Sequence, residues 1–264
     1  MLKLAISGAA GRMGNRLIAL GSEDNSFTIV GAIEASGHPK IGTDAGLASG
    51  ISELGVSFSD QYPSELDVVI DFSHPPGAQA AVDYCLASKK PLVMATTGLE
   101  NKTINSINQA GHEIPIVWAP SMSLAVNLSM KLVETAGAAL KDHSTGVDVE
   151  IIERHHRYKA DSPSGTALKF GEIVANTMGQ TNHQHGREGM IGERPQNEIG
   201  YHAIRTGDNA GEHTIIFGML GETIELKVGA SNRDCYAAGA LAAAKYVVAQ
   251  GPGVYNMYDV LGLN

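Results

Sequence analysis

Two adjacent imidazoles and several fixed cations crowd one short stretch of this 264-residue chain, Glu153-Arg154-His155-His156-Arg157-Tyr158-Lys159. Asp161-Ser162-Pro163-Ser164-Gly165-Thr166-Ala167 follows at once. An imidazole, with an unperturbed pKa of about 6.5, trades a proton near neutrality. A lysine ammonium can give a proton and also balance negative charge. Such a density of proton-carrying groups points to acid–base chemistry. Ser164-Gly165-Thr166 opens a helix predicted from Ala167 to Met178, whose first turn presents unpaired backbone N–H groups and a positive dipole end. An anion belongs there. A solvated turn would use the same residue types. It would not also place the imidazole pair, a lysine four residues after His155 and a helix start at one strand-to-helix junction, which is where open α/β folds hold ligands.

Composition narrows the partners of this cluster. A formal net charge of -9 argues against nucleic acid, which calls for a basic stripe. It also makes the basic stretch a local exception suited to an acidic ligand. Two cysteines, Cys85 and Cys235, form neither a disulfide framework nor a metal-ligand pair and suit a reducing cytoplasm. The apolar run at the start is too short for a signal peptide and reads as a first strand, and no segment has the length of a membrane span.

The elements that position the chemistry begin with that strand, Leu2 to Ile6. Gly8-Ala9-Ala10-Gly11-Arg12-Met13-Gly14 follows it and leads into a helix predicted over Asn15 to Gly21. Glycines at this spacing permit a tight turn and close approach of backbone to a pyrophosphate at a helix N-terminus. The next strand, Phe27 to Ile33, ends at Glu34, at the distance where a carboxylate meets the adenosine ribose hydroxyls. Glu34 would repel a 2′-phosphate, so NADH is favoured; Arg12 and Lys40 are the cations available to NADPH. A short strand is expected near Val56 to Phe58. Leu66 to Phe72, Pro91 to Met94 and Ile116 to Trp118 read as buried parallel strands, each followed by a polar or proline-containing turn.

From Val147 the pattern changes. Strands predicted at 198–205, 212–217 and 222–228 suggest a meander, and together with one at 147–152 they make an open sheet with helices on one face. Asn182 to Asn197 reads as one long mobile loop, a candidate lid. His183 and His185 lie in it without a completing ligand set, so no metal is expected. The fold expected is α/β: a Rossmann-type doubly wound parallel sheet plus a second α+β domain with an open mixed sheet.

The stretch His155 to Lys159 with Asp161 to Ala167 resembles the signature of the 4-hydroxy-tetrahydrodipicolinate reductase (dihydrodipicolinate reductase) family, and the resemblance runs from the glycine loop to Asp259-Val260-Leu261. It implies NADH- or NADPH-dependent reduction of a cyclic dicarboxylate on the way to diaminopimelate and lysine. It further implies that His155 is the proton donor/acceptor and Lys159 the proton donor to the ring nitrogen. His156, Ser164, Gly165 and Thr166 would bind substrate carboxylates, with Arg233 a weaker substrate or hinge candidate. Gly8, Ala9, Ala10, Gly11, Arg12, Met13 and Glu34 would hold the dinucleotide, and the loops Ala95-Thr96-Thr97 and Ala119-Pro120-Ser121-Met122 would meet its nicotinamide half. Ala95 stands where the family has Gly, Met122 and Ser121 where it has Asn or Phe, and Ala35 where many relatives have Arg, which again favours NADH. The family pattern returns the tail to the nucleotide domain, giving 1–123 with 235–264 for the dinucleotide and 124–234 for substrate and oligomerisation. A cytoplasmic homotetramer is implied. Two rivals share parts of the pattern: a dehydrogenase of another small acid, and a sensor that binds NADH and a dicarboxylate without turnover.

Overall fold

In the computed structural model, which describes residues 1–263, the chain divides into two units: Met1–Leu124 with the chain from Arg233 onward, and Ala125–Asn232. The first unit contains β1 (Leu2–Ser7), α1 (Arg12–Glu23), β2 (Phe27–Ile33), α2 (Ala45–Ala48), β3 (Phe58–Ser59), β4 (Val68–Asp71), α3 (Pro75–Ser88), β5 (Leu92–Met94), α4 (Asn101–Ala110) and β6 (Pro115–Trp118). The helix α5 (Leu124–Leu140) leads into β7 (Asp148–His155), α6 (Gly165–Met178), β8 (Asn182–His185), β9 (Glu198–Arg205), β10 (Glu212–Met219) and β11 (Glu222–Gly229). The chain then closes with α7 (Asp234–Val247), β12 (Gly253–Tyr255) and α8 (Met257–Leu261).

The first sheet runs β12-β6-β5-β4-β1-β2-β3 and is parallel throughout. Its strands are apolar on both sides because both faces are covered. Leu4, Ile6, Val93 and Val117 meet Leu17 and Leu241, whereas Ala5, Val69 and Leu92 meet Ala81, Cys85 and Ile107. Each buried Leu, Ile or Val side chain among them contributes about 1.5–3 kcal/mol. Winding reverses between β1 and β4, so the crevice at the carboxyl ends of those strands is where a dinucleotide fits. Two glycines are required there. Gly8 has φ +72, and a Cβ on it would stand 2.6 Å from the Phe72 carbonyl oxygen; one on Gly14 would stand 2.3 Å from the Gly8 carbonyl oxygen.

The second sheet is mixed, in the order β11-β10-β7-β9-β8. It is not the simple meander expected: β7 lies at the centre, antiparallel to β10 and parallel to β9. β7 also runs three residues further than predicted, to His155. Strand alternation therefore puts Val149, Ile151, Glu153 and His155 on one buried face, against which α6 packs. Close approach of that helix needs Gly171, where a Cβ would fall 1.6 Å from Tyr201 Oη. The segment expected as one long loop starts instead as β8, paired with β9. Its later arginines are pinned: Arg187 and Arg194 bind Glu150, and Arg187 also binds Glu198. Burial alone would raise the Glu150 carboxyl, but Arg187, His202 and Arg194 bring it down to about 2. The short strand expected at Val56 to Phe58 starts two residues later and ends one later, at Phe58–Ser59.

Candidate active site

The site on the second unit is built around Glu153, a carboxylate only 1% exposed. Its Oε2 accepts from His155 Nδ1 at 2.5 Å and from Arg205 Nη1 at 2.8 Å. Oε1 accepts from Arg205 Nη2 at 2.7 Å and from the Ser164 amide at 3.1 Å. Burial alone would raise this carboxyl, yet Arg205, His155 and the Ser164 amide hold it below the usual carboxylate range. The unpaired burial of a carboxylate would cost several kcal/mol. Four donors converge here, so the ionised form wins.

Ser164 is the N-cap of α6, its Oγ accepting from the Ala167 amide at 3.2 Å. Ser164 is buried by this capping role, so it shapes the helix start from behind. The amides of Gly165 and Thr166 lie in the first turn, where α-helices leave N–H groups without intrahelical partners. A Cβ on Gly165 would meet nothing within 4 Å, so the helix start is uncrowded on that side. The Ser164 hydroxyl also meets His213 Nε2 at 3.1 Å. Burial, with His155 and Lys159 nearby, pushes His213 down to about 4, so it is neutral at physiological pH.

The turn after β7 is fastened by its backbone. The amides of His156 and Arg157 donate to the carbonyls of Asn209 and Gly207. His156 Nδ1 is buried and has no hydrogen-bond partner among the described residues, which suits a nitrogen meant for a ligand. Lys159 reaches Asp161 Oδ1 at 2.8 Å and holds that carboxyl below its usual range. Thus His155, His156, Lys159, Ser164, Gly165 and Thr166 all lie along one strand end, turn and helix start. Arg233 belongs to the first unit, exposed at the N-cap of α7.

In the first unit the candidate cofactor residues gather at strand carboxyl ends. Gly8, Ala9, Ala10, Gly11, Arg12 and Met13 follow β1 and open α1, whose N-cap Gly11 makes no side-chain cap, leaving the helix start free for a pyrophosphate. Glu34 stands at the end of β2 and accepts from the Ala10 amide at 2.7 Å, so the acid and the glycine loop are one structure. Lys40 instead lies over the Phe58 ring, 5.7 Å from its centroid. Ala95, Thr96 and Thr97 follow β5; Ala119, Pro120, Ser121 and Met122 follow β6. Met122 is 1% exposed, and Gly239 of α7 lies so near that a Cβ would fall 1.7 Å from the Met122 carbonyl oxygen. The Met122 side chain is therefore packed in the interior.

Sequence reading assigned no role to Asp71, Glu153, Arg205 or His213. Asp71 is buried at the end of β4, accepting from Thr96 Oγ1 at 2.5 Å and Ser73 Oγ at 2.7 Å. Burial raises its pKa against those hydrogen bonds. Glu153 was within reach, since an acid two residues before His155 shares its face once the strand is extended. Arg205 and His213 depend on strand pairing and left no local mark. His183 and His185, weighed as metal ligands, are engaged by Tyr201, whose hydroxyl meets His183 Nδ1 at 2.7 Å and whose ring lies 5.0 Å from that of His185.

By architecture the chain is a two-unit Rossmann-type α/β protein, a class to which many dinucleotide-dependent oxidoreductases belong. It is a member of the dihydrodipicolinate reductase family: residues 2–122 match that family's N-terminal part and residues 125–261 its C-terminal part. A 4-hydroxy-tetrahydrodipicolinate reductase of Rhodopirellula baltica is 56% identical over 271 residues, covering 100% of this chain and 97% of its own. One from Alkalilimnicola ehrlichii is 45% identical, with 99% of each chain covered. Among solved structures, a dipicolinate-bound dihydrodipicolinate reductase from Paenisporosarcina sp. TG-14 superposes with a TM-score of 0.79 over 98% of both chains; at 22% identity it speaks for the fold.

Proposed function

We propose that this chain reduces 4-hydroxy-tetrahydrodipicolinate, by way of dihydrodipicolinate, to tetrahydrodipicolinate in the route to diaminopimelate and lysine. The observation that carries the reading is the junction of β7 and α6, where a buried, carboxylate-bound imidazole, a lysine and an uncrowded helix start share one surface. The first-turn amides of Gly165 and Thr166, with the Thr166 hydroxyl, bind one substrate carboxylate, and His156 binds the other. Lys159 donates a proton to the ring nitrogen, which receives electron density as hydride adds at C4. His155 exchanges a proton with the substrate as donor and acceptor.

The nicotinamide dinucleotide, when bound, supplies the hydride. Gly8 to Met13 hold its pyrophosphate, Glu34 its adenosine ribose, and the loops 95–97 and 119–122 its nicotinamide half. NADH is preferred over NADPH, because the Glu34 carboxylate repels a 2′-phosphate and Lys40 is placed over Phe58. Residues 1–123 with 235–264 serve the dinucleotide and 124–234 the substrate, with Arg233 at the hinge. The enzyme works in the cytoplasm; among the described residues no helix is long and apolar enough to cross a membrane. It assembles as a homotetramer through the face of the second sheet away from α6, where Ile204 is exposed and Ile152 and Ile216 are partly so. Light scattering after size exclusion tests that assembly.

Initial rates with NADH and with NADPH on the freshly formed substrate test the function. Oxidation of either cofactor is expected, faster with NADH. Unchanged absorbance at 340 nm with both, alongside intact NADH binding, would leave the sensor reading standing instead.

A further inference from the structure

We propose that Glu153 is the positioning residue for His155: its carboxylate, gripped by Arg205, keeps a proton on Nδ1 and leaves Nε2 as the nitrogen that gains and loses the transferred proton. This rests on His155 being the proton donor/acceptor.

The geometry leaves Glu153 little freedom. An ionised carboxylate only accepts hydrogen bonds, so the 2.5 Å contact requires His155 Nδ1 to donate. The carboxylate cannot turn away, since the Arg205 guanidinium takes both oxygens in a fork, at 2.7 and 2.8 Å. It also receives the Ser164 amide, which ties it to α6. Arg205 is the register partner of His155 on β9, and His213 that of Glu153 on β10, so the four side chains share the face under α6. His213 stands edge-on to His155, with ring centroids 5.3 Å apart. Gly211, at φ +141, also lies against the ring, where a Cβ would fall 2.9 Å from His155 Nε2. A glycine here keeps that nitrogen uncovered.

One carboxylate thus sets two parts of the site. It orients the imidazole, and through the Ser164 amide it fixes where the first turn of α6 begins. Arg205 extends the arrangement by donating from Nη2 to the Asp161 carbonyl at 2.6 Å, and Asp161 is the partner of Lys159. An orienting acid behind an imidazole is a general means of choosing its tautomer. A glutamate that merely tied β7 to β9 would leave that choice free.

Long-range proton–nitrogen NMR of the full-length protein labelled with ¹⁵N-histidine reads the tautomer directly, with the His155 signals assigned by their loss in His155→Gln. The wild-type spectrum, taken where His155 is neutral, is expected to show Nδ1 protonated and Nε2 bare. In Glu153→Gln the fixed Nδ1–H form should give way to a population protonated on Nε2. Its kcat should fall on the order of 10²-fold, the scale of a general acid–base contribution, with KM for the dicarboxylate and Kd for NADH changed by less than about twofold. Glu153→Asp, which keeps the charge, should recover part of both signals. A wild-type His155 protonated on Nε2 would overturn the proposal even if no variant folds. So would a Glu153→Gln enzyme with unchanged tautomer and unchanged kcat. The NMR measurement needs no substrate, so a chain that fails to oxidise NADH or NADPH would sink the reductase reading while leaving the tautomer result to be judged separately.

Discussion

The candidate sites of the two units are built by opposite means. At the carboxyl ends of β1, β4, β5 and β6 the first unit offers chiefly backbone: glycines forced by space, an uncapped helix start and, after β5 and β6, small or buried side chains at Ala95, Thr96, Ala119 and Met122. The second unit offers charge, arranged as Glu153, Arg205, His155, Lys159 and Asp161 in a connected set of hydrogen bonds. Backbone recognition tolerates exchange of side chains so long as the turn survives. A charged network depends on every partner.

Mutations should separate the two. Replacing Lys159 by Ala should lower kcat by about 10²–10⁴-fold, the range of a lost general acid, with NADH affinity by fluorescence titration unchanged. A parallel collapse of NADH affinity would break the division of labour. Acid should weaken the second unit selectively. His213 has an ordinary pKa of 6.5 and a folded value of about 4, so between those values the unfolded chain binds a proton that the native chain refuses. Stability is thus highest above pH 6.5 and falls as pH drops towards 4, by up to about 3 kcal/mol at 1.36 kcal/mol per pH unit. Buried Asp71 has the opposite sign, its raised pKa favouring the folded state as it protonates. Hydrogen exchange at pH 4.5 and 7 should show protection lost around β7 and β10 and retained around β4.

Smaller effects sharpen the picture of the first unit. Gly8→Ala meets both a positive φ and the Phe72 carbonyl, and should cost about 1–3 kcal/mol of backbone strain. NADH binding should weaken with it while binding of the proposed dicarboxylate substrate, by calorimetry, holds. Glu34→Ala should reduce NADH affinity about tenfold, as expected for a lost hydrogen bond to a charged group, and should narrow the gap to NADPH. An unchanged NADH affinity would remove Glu34 from the cofactor site.

The same contrast explains what was legible in the sequence. Glycine spacing and an acid at a strand end are local, so the first sheet and its loops could be read directly. The site motif was equally visible as a string of residue types. What stayed hidden was pairing. β7 lies between β9 and β10, and nothing near Val147 announces that its neighbours begin at Glu198 and Glu212. A strand ending at Ile152 leaves Glu153 outside it, and only the extension to His155 puts the two on one face. Asp71 was submerged in an apolar run for a similar reason, since its partner Thr96 belongs to another strand's loop.

The central place of β7 also has a consequence during synthesis. Its antiparallel neighbour reaches Gly218 and its parallel one Arg205, so the imidazole is emplaced only after some fifty to seventy further residues have left the ribosome. Long-range closures of this kind are slow and leave strand edges bare meanwhile. The nascent chain therefore carries its most reactive side chains on an unmated strand until the β10–β11 hairpin arrives.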